Sequence, residues 1–347
     1  MDSAPLGDSM APRPLWSSAL RHQWEEEGCD EWLGVLDGFE ENFGRALLWA
    51  VDVPGRVCIL GDHSDYVPYV SARIVTFASA EQRMRALISP REDGMVRIGS
   101  SLEGCEVTEF TLEEESFDGE WLDVLDELET PEQHWSNYVR GAVAHTLQLH
   151  ELGVGFDMYL DSTIPPASGT SSSSALTTCG MVAIHLANGL SWSRESIARE
   201  GGSAEWYVGT RGGMMDHATM AYAEEGVMLE LRFRPFTADS LQGHAPGCKW
   251  YSVFTHPADK GGVMMDAFNE LTLVQQSIIP PLIGDMVFEH PRDHFEWVAI
   301  VHLIDETIES ARFGRIRVKD RFRYVMREYS RAVNFCSALE DGDVEGM

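Results

Sequence analysis

Ile164-Pro165-Pro166-Ala167-Ser168-Gly169-Thr170-Ser171-Ser172-Ser173-Ser174-Ala175 is a run of small residues with little to contribute to a core. It offers hydroxyls, close backbone approach and backbone N–H groups, and it leads straight into an apolar, helix-like segment, Leu176 to Asn188. A helix N-terminus presents free N–H groups at the positive end of the helix dipole, so these are the parts of a phosphate cradle. The competing interpretation is a flexible Ser-rich linker. A linker would not run directly into a periodic apolar segment, and Pro165-Pro166 stiffens the entry. Taken alone, the loop leaves both interpretations open, because Gly/Ser motifs match many unrelated sequences.

Working outward, Phe156 to Leu160 reads as a strand that delivers the chain into the loop through Asp161-Ser162-Thr163. Upstream, Val57 to Leu60 is a short apolar run that predicts a buried strand, with Arg56 at its start and Asp62, His63, Asp65 and Tyr66 crowding the turn at its end. Polar groups converging at a strand end suit ligand contact, although Gly and Asp also form ordinary turns. Downstream, Arg194 to Val208 reads as helix. A second small-residue turn, Gly209-Thr210-Arg211-Gly212-Gly213, leads to Met214-Met215-Asp216-His217, with helix over Ala218 to Glu225 and strand over Val227 to Leu231.

The periodicity predicts helix from Trp16 to Trp49 with Gly44 as a C-cap, helix from Trp135 to Leu149, and strands at 74–77, 84–88 and 95–98. Glu113 to Glu129 reads as an acidic, mostly solvent-facing stretch. Pro235 is read as a domain change. Beyond it we expect a strand over Trp250 to Thr255, a helix over Ala267 to Ile278, a break at Pro280-Pro281 and long helices from Phe295 to Ala338.

The chain has 347 residues, enough for two domains and a large core. Asp and Glu outnumber Lys and Arg 56 to 26, a formal charge of −30, which disfavours nucleic acid and anionic membranes as partners. Six scattered cysteines without a Cys-x-x-Cys predict reduced, mostly buried thiols in a cytoplasmic protein. No signal peptide and no membrane span are expected.

Pro54-Gly55-Arg56-Val57-x-x-Leu60-Gly61-Asp62-His63-Ser64-Asp65-Tyr66 resembles the galactokinase signature Pro-Gly-Arg-Val-Asn-Leu-Ile-Gly-Glu-His-Thr-Asp-Tyr. Residues 164–175 resemble the Pro-x-x-x-Gly-Leu-Ser-Ser-Ser-Ala phosphate loop of the same superfamily, the GHMP kinases. Ala204-Glu205-Trp206-Tyr207-Val208-Gly209, Gly213-Met214-Met215-Asp216 and Trp135-x-Asn137-Tyr138-Val139-x-Gly141 are similar to further family motifs, and the matches run in family order from about Phe39 to Leu231.

The resemblance implies an α+β GHMP kinase fold: a ribosomal-S5-domain-2-like N-terminal domain over 39–232 after an extension over 1–38, and a ferredoxin-like C-terminal domain over 233–347. It implies ATP-dependent, Mg²⁺-assisted phosphorylation of a sugar, in galactokinases at the anomeric hydroxyl. Residue by residue, Asp216 and Arg56 match the catalytic pair. Pro166, Ala167, Ser168, Gly169, Thr170, Ser171, Ser172 and Ser173 match the nucleotide loop. Ser172 or Ser173, with Glu205, match the Mg²⁺ ligands. Arg56, Asp62, His63, Asp65, Tyr66, Gly213 and Asp216 match the sugar contacts. Without the resemblance, Asp216 could be a helix cap, Glu205 a solvated acid and Arg56 a surface charge.

The sequence departs from the family where Glu becomes Asp62, Asn becomes Cys58, Leu becomes Thr170, Ala becomes Ser174 and Gln becomes His217. The Asn-Gly-Gly after the Tyr is Val67-Pro68-Tyr69. A shorter acid at 62 and the changed residues after the Tyr lead us to expect an acceptor other than plain galactose: a larger or differently substituted sugar, for instance one of seven or eight carbons. The family's Gly-rich third motif is absent, so we expect a C-terminal domain that is apparently truncated, with a missing segment or second chain completing it. The competing function is a catalytically silent sugar- and ATP-binding regulator. A serine hydrolase built on Ser171 to Ser174 lacks Gly-x-Ser-x-Gly, and metal hydrolysis through His290 and His294 lacks the zincin pattern.

Overall fold

A computed structural model of the chain describes residues 13–128, 132, 134–242, 249–253, 255–256, 262–288, 298, 300–302, 304–343 and 345–347. The contacts divide it into two compact units. The first comprises 1–55, 81–165 and 172–208, the second 56–80, 166–171 and 209–347. These units are groups of residues in contact, whereas the 39–232 and 233–347 domains expected above are stretches of sequence.

In the first unit, Ser17–Glu27 (α1) and Asp30–Phe43 (α2) form a helical pair. The single helix expected over 16–49 is broken at Gly28, which adopts φ 70° and donates its N–H to the Trp24 carbonyl, a left-handed C-cap. Leu20, Trp24, Val35, Leu36 and Phe39 pack with Leu48, Leu87 and Tyr159. The strands are Leu15–Trp16 (β1), Leu47–Leu60 (β2), Arg73–Arg91 (β3), Met95–Ser100 (β4), Thr108–Thr111 (β5) and Gly155–Ser162 (β6). Residues 84–91 of β3 pair antiparallel with β6, and β6 runs parallel to β4, which pairs antiparallel with β5. The 74–77 and 84–88 segments are therefore parts of one long strand, β3, whose residues the two units share. β2 is shared likewise, and its 57–60 end is half-buried, not buried as expected.

Four helices complete this unit: Trp121–Glu127 (α3), Asn137–Leu149 (α4), Ser172–Asn188 (α5) and Arg194–Ala204 (α6), the last continuing as a 3₁₀ turn over Glu205–Val208. Every residue of α5 from Ser174 to Leu186 is buried, the polar Ser174, Thr177, Thr178 and His185 included. Glycine permits the close approach: a Cβ on Gly141 would stand 2.6 Å from the Ala204 carbonyl oxygen. Within the supposedly solvated 113–129 stretch, Glu115 is 2% exposed, because it accepts from Arg140 and from the Tyr207 hydroxyl.

In the second unit, residues 73–76 of β3 pair antiparallel with Val227–Phe233 (β7), and β7 pairs with Phe236–Gln242 (β8). Pro235 thus lies in the turn of a hairpin. Met215–Tyr222 (α7) precedes the hairpin. Gly262–Leu273 (α8) passes through a π turn, Val274–Ile278, into Ile279–Ile283 (α9). Pro280 and Pro281 do not break the chain there, because the first turn of a helix needs no N–H from them. No described residue of 250–255 lies in a strand. Ile308–Ser310 (β9) and Gly314–Ile316 (β10) form a hairpin where helix was expected, followed by Val318–Asp341 (α10). His290, His294, Phe295 and Cys248 lie outside the described residues.

The core of this unit follows one stripe of α10. Val318, Phe322, Val325, Met326 and Tyr329 recur at helical spacing and pack with Tyr66, Tyr69, Val274 and Phe288. Farther along the helix, Phe335, Cys336 and Leu339 meet Val75, Met228 and Leu241. Among the described cysteines, Cys179 and Cys336 are buried and Cys29, Cys58 and Cys105 are half-buried, fewer buried than expected.

Candidate active site

Arg56 follows Pro54-Gly55 on β2, and its backbone N–H donates to the Thr170 carbonyl at 3.2 Å. That bond ties the strand to the small-residue loop within the second unit. The guanidinium reaches Asp216 Oδ1 with Nε and Nη2, each at 2.6 Å, and donates from Nη1 to the Gly169 carbonyl at 2.9 Å. Asp216 is the second residue of α7, and its other oxygen, Oδ2, accepts from the Ser171 hydroxyl at 2.6 Å. Residues 56, 169, 171 and 216, far apart in sequence, therefore meet in one cluster.

The loop takes a specific shape. Ala167, Gly169 and Ser171 adopt left-handed conformations with φ 54°, 80° and 59°. Ala and Ser pay roughly 1–2 kcal/mol each for that region, so the surrounding contacts must hold them there. The Ser168 and Thr170 hydroxyls meet at 2.5 Å, and Pro166 is exposed. Left-handed residues interleaved with others are a feature of backbone concavities that bind anions.

Burial works against charge on Asp216, but Arg56 beside it and the Ser171 hydroxyl prevail and hold its carboxyl below the ordinary value. Burial also opposes the charge on Arg56, and the Asp216 carboxylate more than offsets it. The pair is ionised at neutral pH. Asp65 behaves in the opposite sense. Burial raises its carboxyl to about 6, the Met215 N–H opposes the rise and the charge on Asp216 adds to it.

Asp65 Oδ2 accepts from the Met215 N–H at 2.9 Å, at the start of α7. A Cβ on Gly213 would stand 2.0 Å from the same oxygen. Gly213 thus leaves the space in which Asp65 grips the turn that carries Asp216. The turn is also held from α8: Asn269 accepts from the Arg211 N–H and donates to the Gly209 carbonyl, each at 2.9 Å, and Thr272 donates to the Arg211 carbonyl at 2.8 Å.

Of the other residues expected at the sugar, Asp62 has an exposed carboxylate that accepts from the His63 N–H at 3.0 Å. Its carbonyl accepts from the Tyr324 hydroxyl at 3.2 Å. The His63 ring lies 4.8 Å from that of Phe268. Tyr66 is a core residue: it packs with Val67, Tyr69 and Val70, and its hydroxyl meets His63 Nδ1 at 3.3 Å. His217 is fully buried and neither ring nitrogen has a hydrogen-bond partner; burial pushes its imidazole down to about 4, so it is neutral beside the Arg56–Asp216 pair.

A second cluster stands in the first unit. Ser172 opens α5, whose first N–H groups have no partner within the helix. Thr177, one turn on, donates to the Glu205 carboxylate at 3.4 Å and to the Ser173 carbonyl at 3.2 Å. The Tyr138 hydroxyl is hydrogen-bonded to Ser173 and, with burial as the larger cause, Glu205 pushes it up to about 12. Tyr138 and Thr177 are site neighbours that the sequence reading did not single out. Their signals were present: Tyr138 sits in the Asn-Tyr-Val motif, and Thr177 is four residues from Ser173 on a helix.

One carboxylate and two hydroxyls are hard oxygen donors, and Mg²⁺ characteristically takes one or two carboxylates together with water and substrate phosphates. Among the described residues no group of three or more His, Cys, Asp or Glu is arranged to hold a metal. No described helix is long and apolar enough to cross a membrane.

Residues 137–224 match the family described as GHMP kinases N terminal domain. Among solved structures, the fold is similar to a Lactococcus lactis galactokinase complexed with galactose, at 22% identity and a TM-score of 0.68, covering 88% of this chain and 74% of that one. A Lin0012 protein from Listeria innocua aligns at 11% identity and a TM-score of 0.50, covering 86% of this chain and 74% of that one. Residues 137–224 thus match a GHMP kinase N-terminal domain, and the mixed α+β fold of the chain is similar to that of a galactokinase.

Proposed function

We propose that this chain transfers the terminal phosphoryl group of ATP to a sugar hydroxyl, the anomeric one of galactose or of a related, larger sugar. The supporting observation is the cluster in which Arg56 and Ser171 hold the two oxygens of Asp216 while Arg56 also bonds the Gly169 carbonyl.

Phosphoryl transfer passes through a loose transition state, so the protein contributes mainly positioning and charge. An acceptor hydroxyl entering the cluster donates to the Asp216 carboxylate in place of Ser171. Because Arg56 keeps that carboxyl below its ordinary value, Asp216 is a weak base: it orients the hydroxyl early and accepts the proton only as the new P–O bond makes it acidic. The Arg56 guanidinium stabilises negative charge on the acceptor oxygen and the transferring group. Residues 166–171, followed in the chain by Ser172, Ser173 and the first turn of α5, bind the phosphates. Glu205, with the Ser172 or Ser173 hydroxyl, would hold Mg²⁺, which when bound neutralises phosphate charge.

The exposed, shortened Asp62 leaves space at the acceptor's far end, which supports a seven- or eight-carbon sugar over galactose. ADP release measured across hexoses, heptoses and octoses is the test. The kinase reading expects turnover with at least one sugar and a loss of roughly 10²-fold or more in Asp216→Asn. No ADP release with any sugar rejects that reading, and galactose as the best substrate rejects the larger acceptor.

A further inference from the structure

With Lys and Arg outnumbered by Asp and Glu 26 to 56, a pocket walled by cations has to be assembled against the composition. The second unit contains one. A cavity of about 410 Å³ is lined by Arg315 from β10 and by Arg317, Lys319 and Arg323 from the beginning of α10, with Glu306 and Asp320 as the acids facing them. Its volume falls in the range of small-molecule sites. None of these residues belongs to the clusters described above.

The two acids leave much of the cationic surface unused. Asp320 is drawn close to Arg317, while Arg323 stands 3.6 Å from it. Lys319 stands 3.8 Å from Glu306, although its side chain is only 14% exposed. Both longer distances exceed a hydrogen bond, so the N–H donors of Arg323 and Lys319 are not committed to those carboxylates. Arg315 has no ion-pair partner among the described residues; the Glu309 opposite it in the hairpin register makes no ion pair with it there. No side chain caps α10, so its first N–H groups and the positive end of a 24-residue helix add to the field at the same place.

We propose that this cavity is a second anion site, which takes a small phosphate ester or polyphosphate carrying at least two negative charges. Four cations against two carboxylates leave a positive excess that a dianion neutralises. Planar guanidinium forks match phosphate oxygens two at a time, and Lys319 supplies a point charge at the wall. The site does not depend on the kinase reading, since it shares no residue with the Arg56–Asp216 cluster or with loop 166–173.

The test is equilibrium dialysis of the full chain against labelled inorganic pyrophosphate at about 0.15 M salt. It compares the wild type, the double variant R315A/R323A and the loop variant S171A/S172A/S173A. Arg315 is exposed and Arg323 half-buried, and a thermal melt checks that the double variant folds. We expect a pyrophosphate site that persists in the loop variant and weakens at least about tenfold in R315A/R323A, the loss of one charge-assisted hydrogen bond or more. R315E should weaken it further than Arg315→Ala. The proposal is overturned if R315A/R323A binds pyrophosphate as the wild type does, or if the loop variant removes all binding. It is also overturned if sedimentation shows self-association that R315A/R323A abolishes while no pyrophosphate site is found, since the acidic surface of a second copy would then be the occupant.

Discussion

Gly213→Ala isolates the contact on which the geometry of Asp216 depends. The added Cβ would stand 2.0 Å from Asp65 Oδ2 and 2.3 Å from its Cγ, so the Asp65 carboxyl must leave the Met215 N–H. Overpacking costs about 1–3 kcal/mol. Losing a hydrogen bond to a carboxylate costs about 1.5–3 kcal/mol. Alanine's smaller unfolded-state entropy returns about 0.4–1 kcal/mol. We expect a net loss of about 2–4 kcal/mol, read from urea unfolding followed by tryptophan fluorescence. The neighbouring Gly212 is the control, because a Cβ there meets nothing within 4 Å. Gly212→Ala should be neutral or slightly stabilising. In an Asp65→Ala background the obstacle is gone, and Gly213→Ala should cost at least about 1 kcal/mol less, a coupling of ordinary size for contacting residues. Sugar-dependent ADP release should fall in Gly213→Ala through kcat more than KM, because Met215 carries Asp216 with it. Equal stabilities of Gly213→Ala and Gly212→Ala, within about 0.5 kcal/mol, would refute the reasoning.

Arg56→Lys keeps the charge but cannot serve Asp216 and the Gly169 carbonyl together, so kcat should fall roughly 10²-fold; a wild-type kcat would remove Arg56 from the chemistry. His145 and His217 are pushed by burial from 6.5 to about 4, so the unfolded chain binds their protons first and stability is lost as pH falls from 6.5 towards 4. Asp65, raised from 3.8 to about 6, acts in the opposite direction over an overlapping window, and the two histidines outweigh it. Urea midpoints should therefore drop from pH 7 to pH 5 and drop less in His217→Gln; a flat profile in the wild type contradicts this. Glu230 is 3% exposed between Arg73 and Arg232, each at 3.1 Å, so Glu230→Gln should destabilise by about 2–3 kcal/mol in urea, partly spared by the exposure of Arg232, and an unchanged midpoint would show the network to be idle.

Several features were legible before folding because their causes are local. The small-residue loop and the helix behind it, the turn at 209–213, the strand over 155–162 and the stop at Gly44 are written in glycine, proline and apolar periodicity. The break at Gly28 is equally local, yet it was hidden by acidic and apolar residues that keep helical spacing on both sides of it. The prolines at 280 and 281 misled because a helix start tolerates what a helix interior does not. Glu115 gave no sign of burial, since an acid enters a core only when distant partners, here Arg140 and Tyr207, come to meet it.

The order of residues along the chain thus determined which chemical groups are present and which short segments bend, coil or extend, because those depend on neighbours a few positions away. Only the tertiary structure decided that a guanidinium at 56 and a hydroxyl at 171 share the carboxylate at 216, that Tyr66 supports the core, and that Gly213 keeps room for Asp65. Such pairings are set by how strands and helices pack across more than a hundred residues of intervening chain, and no local propensity encodes them.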